Sequence, residues 1–113
     1  IVLRAQREAM KAMKANQITA SQANAVARGA IEAEGYGDGF THRLGHGIGI
    51  TVHEEPFLDN VNQTVLRSNM IFTVEPSIRV PGRFSNRVED VVQVTKDGAV
   101  SLYNTDHRLY IVE

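Results

Sequence analysis

Apolar residues recur three and four positions apart at the start of the chain, at Val2, Ala5, Ala9, Ala12 and Met13. That spacing predicts a helix over residues 1–15. Lys11 and Lys14 fall in its last turn, where a cation suits the helix dipole, and Asn16 can end it. A second helix is predicted over 19–34. Thr19 is its N-cap, and Gln22, three residues on, completes the capping-box pattern. Ala23, Val26, Ala27, Ala30 and Ile31 form its apolar stripe, and Gly35 is a natural stop.

From Gly35 the pattern changes. Six glycines fall within residues 35–49, too many for a helix interior. Beyond them the chain reads as strands: Ile48–His53, Met70–Ile78, Arg87–Thr95 and Ala99–Tyr103. Lys96-Asp97-Gly98 is a hairpin turn and Pro81-Gly82 marks another. Asn60–Gln63 is expected to be an exposed loop, and the tail after Asn104 carries no clear pattern. The order is helix, helix, then mostly antiparallel sheet, an α+β arrangement without repeats or linkers.

Composition narrows the function. The 113 residues suit one domain, and 42% hydrophobic with 22% charged residues is globular composition. Twelve basic residues nearly balance thirteen acidic ones, so charge offers no case for nucleic acid or an anionic membrane as partner. Without cysteine, disulfides, thiolate zinc sites and thiol catalysis are excluded. No apolar run approaches the roughly 20 residues that span a bilayer, and no signal-peptide anatomy opens the chain. The default expectation is a cytoplasmic protein. The absence of a starting Met suggests a chain that begins inside a longer one.

Three histidines, His42, His46 and His53, lie within twelve positions. The spacing of His42 and His46 would suit one face of a helix, but the surrounding glycines argue against a helix there. On a regular strand His46 and His53 would point to opposite faces; a bulge at the glycines would bring them to one side. Such a cluster is either a metal or catalytic site or a hydrogen-bonding core feature. Glu75 and Glu89 stand within apolar strands, where Glu is rare unless paired or metal-bound. Asp90 is expected to alternate outward to solvent. Arg87, two positions before Glu89, is expected to share its strand face and to hold its carboxylate. His46, Glu75 and Glu89 together make a candidate oxygen-rich metal site.

Gly45-His46-Gly47-Ile48-Gly49, then Val52-His53-Glu54-Glu55-Pro56, Phe72-Thr73-Val74-Glu75-Pro76 and Arg87-Val88-Glu89-Asp90-Val91-Val92 resemble the pita-bread metallopeptidases. Within them the chain is most similar to the Xaa-Pro peptidases, Xaa-Pro dipeptidase (prolidase) and aminopeptidase P. The resemblance runs from Ile1 to about Tyr103. It implies hydrolysis of Xaa-Pro peptide bonds at two divalent ions, manganese, cobalt or zinc, bound by two Asp, one His and two Glu. Carried over, it makes His46 a metal ligand, Glu75 a ligand and proton relay, and Glu89 the bridging ligand. It places His53 at the scissile carbonyl and His42 beside the substrate. The acidic residue and Val-Val strand after Glu89 depart from methionine aminopeptidases. Retention of His46, Glu75 and Glu89 departs from the metal-free creatinase branch and from non-catalytic binding members. Ser68-Asn69-Met70, Ser77 and Arg79 stand where Pro-Gly-Met, Gly and Tyr are common in the family. The two Asp ligands have no counterpart here. Residues 1–113 are therefore expected to be the C-terminal part of one catalytic domain, inactive alone, and paired with its N-terminal half or with a second copy. Homodimers are the family's habit.

Overall fold

A computed structural model describes all 113 residues. Helix α1 spans Val2–Ala12 and α2 spans Ala20–Glu32, each shorter than the periodicity suggests. The ends have local causes. Asn16 takes a left-handed conformation (φ 63°) after α1, and Gly35 does so (φ 81°) after α2. At the start of α2 the capping box is complete: Thr19 Oγ1 accepts from the Gln22 N–H, and Gln22 Oε1 accepts from the Thr19 N–H.

Seven strands follow a single 3-10 turn at Gly37–Gly39: β1 Gly45–Gly47, β2 Glu54–Leu58, β3 Ile71–Val74, β4 Ser77–Val80, β5 Phe84–Arg87, β6 Asp90–Thr95 and β7 Gly98–Ser101. One antiparallel sheet has the order β2-β1-β3-β6-β7, and β4 pairs with β5 in a separate two-stranded ribbon. The α+β expectation holds, with three corrections to the strands. Ile48–His53 is not a strand; it is an irregular connection between β1 and β2, because Thr51 N and Oγ1 bond the Glu54 carboxylate and turn the chain back on itself. Met70–Ile78 is divided at Glu75-Pro76, where a proline has no N–H for the ladder. Arg87–Thr95 is divided opposite it, at Val88-Glu89.

Both helices lie against the large sheet, α1 over β3 and β7 and α2 over β2. The core draws on Ala5, Ala9, Ala23, Ala27 and Ile31 from the helices and on Leu58, Phe72, Val74, Val92 and Val94 from the strands, all fully buried. Small residues on the helix faces let the two helices pack closely on each other and on the sheet. Two buried amides add directional ties. Gln6 Nε2 donates to Val74 O (3.1 Å), and Asn24 Oδ1 accepts from the Leu44 N–H (3.1 Å). Each satisfies a backbone group beside the histidine and glutamate segments.

Strand β1 lies between β2 and β3, and its glycines are there for space. A Cβ on Gly45 would sit 1.8 Å from Thr73 O, and one on Gly47 would sit 2.6 Å from Glu55 O. Backbone must move to admit either. Gly45→Ala should therefore cost about 3 kcal/mol or more. Gly29, inside α2 with nothing within 4 Å of its Cβ position, is the contrast. Gly29→Ala should stabilise by about 0.5–1 kcal/mol. Urea unfolding of both variants checks the pair; equal effects would show that the close approach at β1 is not a constraint.

Candidate metal centre

The strand ladders position the candidate residues. Val74 and Asp90 form the last pair between β3 and β6, and Ser77 and Arg87 form an end pair of the β4–β5 ribbon. Between them, two residues on each side leave the ladder: Glu75-Pro76 and Val88-Glu89. The Glu75 N–H turns to Leu44 O (2.8 Å), and the Val88 N–H reaches Pro76 O at 3.4 Å. Glu75 and Glu89 are thus placed beside each other where the two ribbons separate.

Opposite them is β1. The register shifts between His46 and Gly47, so the bulge expected at the glycines is present. It brings His46 and His53 to one side, with ring centroids 4.4 Å apart. His46 is buried, and its N–H donates to Thr73 Oγ1 (3.1 Å). His46 Nδ1 lies 2.8 Å from Gly47 O. A carbonyl only accepts, so Nδ1 carries a proton and Nε2 is the ring nitrogen turned to the cavity. That Nε2 lies 3.8 Å from Glu75 Oε1.

His42 is arranged likewise. Its Nδ1–H donates to Arg43 O (2.6 Å), and its Nε2 accepts from the Ser77 hydroxyl (2.6 Å), with Arg87 Nη2 at 3.4 Å. Burial lowers its pKa despite the Arg43 carbonyl, and the charges of Arg87, Arg28 and Arg43 lower it further, so the ring is held neutral. Arg28 secures this segment by donating to Phe40 O (2.7 Å) and His42 O (3.2 Å).

Arg87 corrects the expectation placed on it. Its Nη1 lies 3.7 Å from Glu75 Oε2, so it faces the carboxylate across the ribbon and not Glu89 two positions along. Asp90 is corrected too. Its side chain is only 4% exposed, because β6 buries every second residue and Asp90 shares the parity of Val92 and Val94. Its partner is His107, whose Nε2 is 3.0 Å from Oδ2 and 3.1 Å from Oδ1.

His42, His46, His53, Glu75 and Arg87 line one cavity of about 460 Å³, with Arg43 and Asp59 completing it. Glu89 does not line it; it lies beside Glu75 and faces a neighbouring cavity. No three His or carboxylate side chains converge on a single point. The chemistry of the donors nonetheless fits a divalent ion. His46 offers Nε2 on a ring whose Nδ1 is fixed by a backbone carbonyl, the usual orientation of a ligating imidazole. The Glu75 and Glu89 carboxylates crowd each other: burial and then the Glu89 charge raise the Glu75 pKa, and Arg87 and His46 only partly offset them. A cation between such groups would relieve both causes.

Residues 1–96 match the Metallopeptidase family M24 profile. The chain belongs to metallopeptidase family M24. It is 48% identical over 109 residues to the "Probable dipeptidase PepE" of Mycobacterium tuberculosis, covering 96% of this chain and 29% of that protein. It is 42% identical to the "Xaa-Pro dipeptidase" of Pyrococcus furiosus, covering 96% of this chain and 31% of that protein. The crystal structure of the X-Pro aminopeptidase from Thermotoga maritima superposes with a TM-score of 0.92 at 40% identity, covering 98% of this chain and 31% of that one. This M24 chain therefore has the pita-bread fold of its neighbours and spans about three tenths of the length of the relatives it matches. No helix in it is long and apolar enough to cross a membrane.

Sequence reasoning did not single out Gln6, Asn24, Asp59 or His107. The first two carried a signal, a polar side chain on an apolar helix stripe; His107 lies in a tail without pattern.

The raised Glu75 pKa has a definite sign. The metal-free folded state holds this proton more tightly than the unfolded chain, whose value is the ordinary 4.5. Its effect on stability is therefore absent below that value, and stability is lost as pH rises through the folded-state pKa. Glu75→Gln should gain stability relative to the metal-free parent at about pH 7 and not at about pH 4. Thermal unfolding with a chelator present reads this; a constant difference across pH would contradict the crowding of Glu75 and Glu89.

Proposed function

We propose that the complete protein carrying this chain is an Xaa-Pro peptidase of the dipeptidase type, with two divalent ions, manganese, cobalt or zinc, in its site. The observation that carries this reading is the His46 ring, fixed through Nδ1 with its Nε2 directed toward Glu75. His46, Glu75 and Glu89 would hold the ions, with further ligands from outside these residues. Ions held there would supply Lewis acidity and a lowered pKa for water.

The chain's own groups supply the rest. Glu75, made more basic by burial and by Glu89, takes the proton of the attacking water and delivers it to the leaving proline nitrogen. His53, exposed beside His46, donates a hydrogen bond to the scissile carbonyl oxygen as charge develops on it. His42, kept neutral, borders the substrate at the same cavity. Arg87 steadies the Glu75 carboxylate from the ribbon. Aminopeptidase P activity is the second reading, favoured by the close superposition on the Thermotoga maritima X-Pro aminopeptidase. A non-catalytic binding module is disfavoured because all three ligand candidates are present.

Hydrolysis of Xaa-Pro dipeptides against Xaa-Pro-initiated longer peptides separates the two peptidase readings. In the complete protein, His53→Ala should lower kcat by about 100- to 1,000-fold and leave bound metal nearly unchanged. His46→Ala should strip the metal. Elemental analysis beside kinetics decides it: equal metal loss in both variants would mean that the two histidines do not divide the roles this way.

The same reading extends to partners. Strands β2 and β7 are the open edges of the large sheet, and Ile50, Val52, Leu109, Ile111 and Val112 are exposed. The 113-residue chain by itself should associate, with the remainder of its catalytic domain or with a second copy. Light scattering reads this directly, and a stable folded monomer would count against it.

A further inference from the structure

Asp90 is a buried carboxylate adjacent in sequence to Glu89, and the reaction outlined above does not use it. It begins β6, immediately after the two-residue interruption that carries Glu89. That interruption is loosely held: the one ladder-like bond in it, Val88 N–H to Pro76 O, is 3.4 Å long. Glu89 itself is exposed. Whatever fixes the segment must act at its ends, and at the β6 end the contact is with the tail. His107 Nε2 donates to the Asp90 carboxylate, at 3.0 Å from Oδ2 and 3.1 Å from Oδ1. Two further contacts tie the tail to the same strand. Tyr103 Oη accepts from the Val91 N–H (2.8 Å), and the Leu102 N–H donates to Val91 O (3.0 Å). Tyr103, Thr105 and His107 then wall a cavity of about 450 Å³ whose other side holds Arg87 and Glu89.

We propose that His107 is a positioning residue for Glu89. By partnering the Asp90 carboxylate it keeps the start of β6 buried, and so holds the Glu89 side chain where it can ligate. The inference rests on the metal-dependent reading above. Without His107, Asp90 is an unpaired buried carboxylate, and relief comes from turning outward to solvent. Turning outward rotates the backbone that bears Glu89. The consequence is a looser ion site with an intact core, since Val92 and Val94 belong to a core cluster that draws on no residue beyond Ala99.

The test is binding of Mn2+ alone to the complete protein by calorimetry, with the visible spectrum of the Co2+-loaded protein as a second readout. His107→Ala should weaken Mn2+ binding by about tenfold, the low end for loss of an outer-shell partner, and alter the Co2+ bands. His107→Gln, which keeps a donor, should recover most of the affinity. In an Asp90→Asn background His107→Ala should add nothing, because its effect runs through that carboxylate. Glu113→Gln, at an exposed tail position, should match the parent. Should His107→Ala fail to fold, Asp90→Asn carries the test and should also bind Mn2+ more weakly. Parental affinity and spectrum in the His107 or Asp90 variants, with metal lost in His46→Ala, would overturn the positioning role alone. Absence of Mn2+ binding by the parent would overturn the metal reading and this inference with it.

Discussion

The site depends on an interruption shared by two strands. A β-ladder satisfies backbone groups and alternates side chains across the sheet, so two carboxylates facing each other inside it would repel at close range with nothing between them. Here Pro76 stops the ladder on one side and Val88-Glu89 leaves it on the other, and the chain resumes as the β4–β5 ribbon. The gap releases Glu75 and Glu89 from strict alternation and sets them side by side. Burial there, and then the Glu89 charge, raise the Glu75 pKa.

The rest of the fold holds this gap open. Gln6 on α1 fixes Val74 O, Asn24 on α2 fixes the Leu44 N–H, and Leu44 O receives the Glu75 N–H. The two helices therefore reach the backbone around Glu75 through buried amides, Asn24 sharing the Leu44 N–H with Leu58 O (2.9 Å). The glycines of β1 serve the same end by different means. They bring the backbone bearing His46 against β2 and β3 more closely than any side chain would allow. The register shift that follows turns His53 to the side of His46.

Both histidines that border the cavity from the β1 side, His42 and His46, donate through Nδ1 to a neighbouring backbone carbonyl. This turns Nε2 of each ring into the cavity, one toward Glu75 and one toward Ser77 and Arg87. The electrostatics are divided accordingly. Burial, and then the surrounding arginines, keep His42 neutral, whereas the Glu75 carboxylate lies beside His46.

Local chemistry was legible without coordinates. The helices, the capping box at Thr19, the stop at Gly35 and the hairpin turn before Ala99 follow from short-range patterns, because capping and turn geometry act within a few residues. That His42, His46, His53 and Glu75 border one cavity while Glu89 faces the next is decided by contacts between distant segments. What the sequence could not decide was how far each strand runs before it leaves the ladder, and which face a charged residue takes afterwards. Asp90 reads as a solvent-facing residue, yet parity with Val92 and Val94 buries it, and its partner lies 17 positions away in an unpatterned tail. Arg87 reads as a neighbour of Glu89, yet it meets Glu75 across the ribbon. Ile48–His53 has the composition of a strand, yet the Glu54 carboxylate captures Thr51 and folds it into a turn. Each of these was settled by pairing between segments distant in the chain, where the free energy of one long-range contact outweighs the weak preference of a few residues for a given conformation.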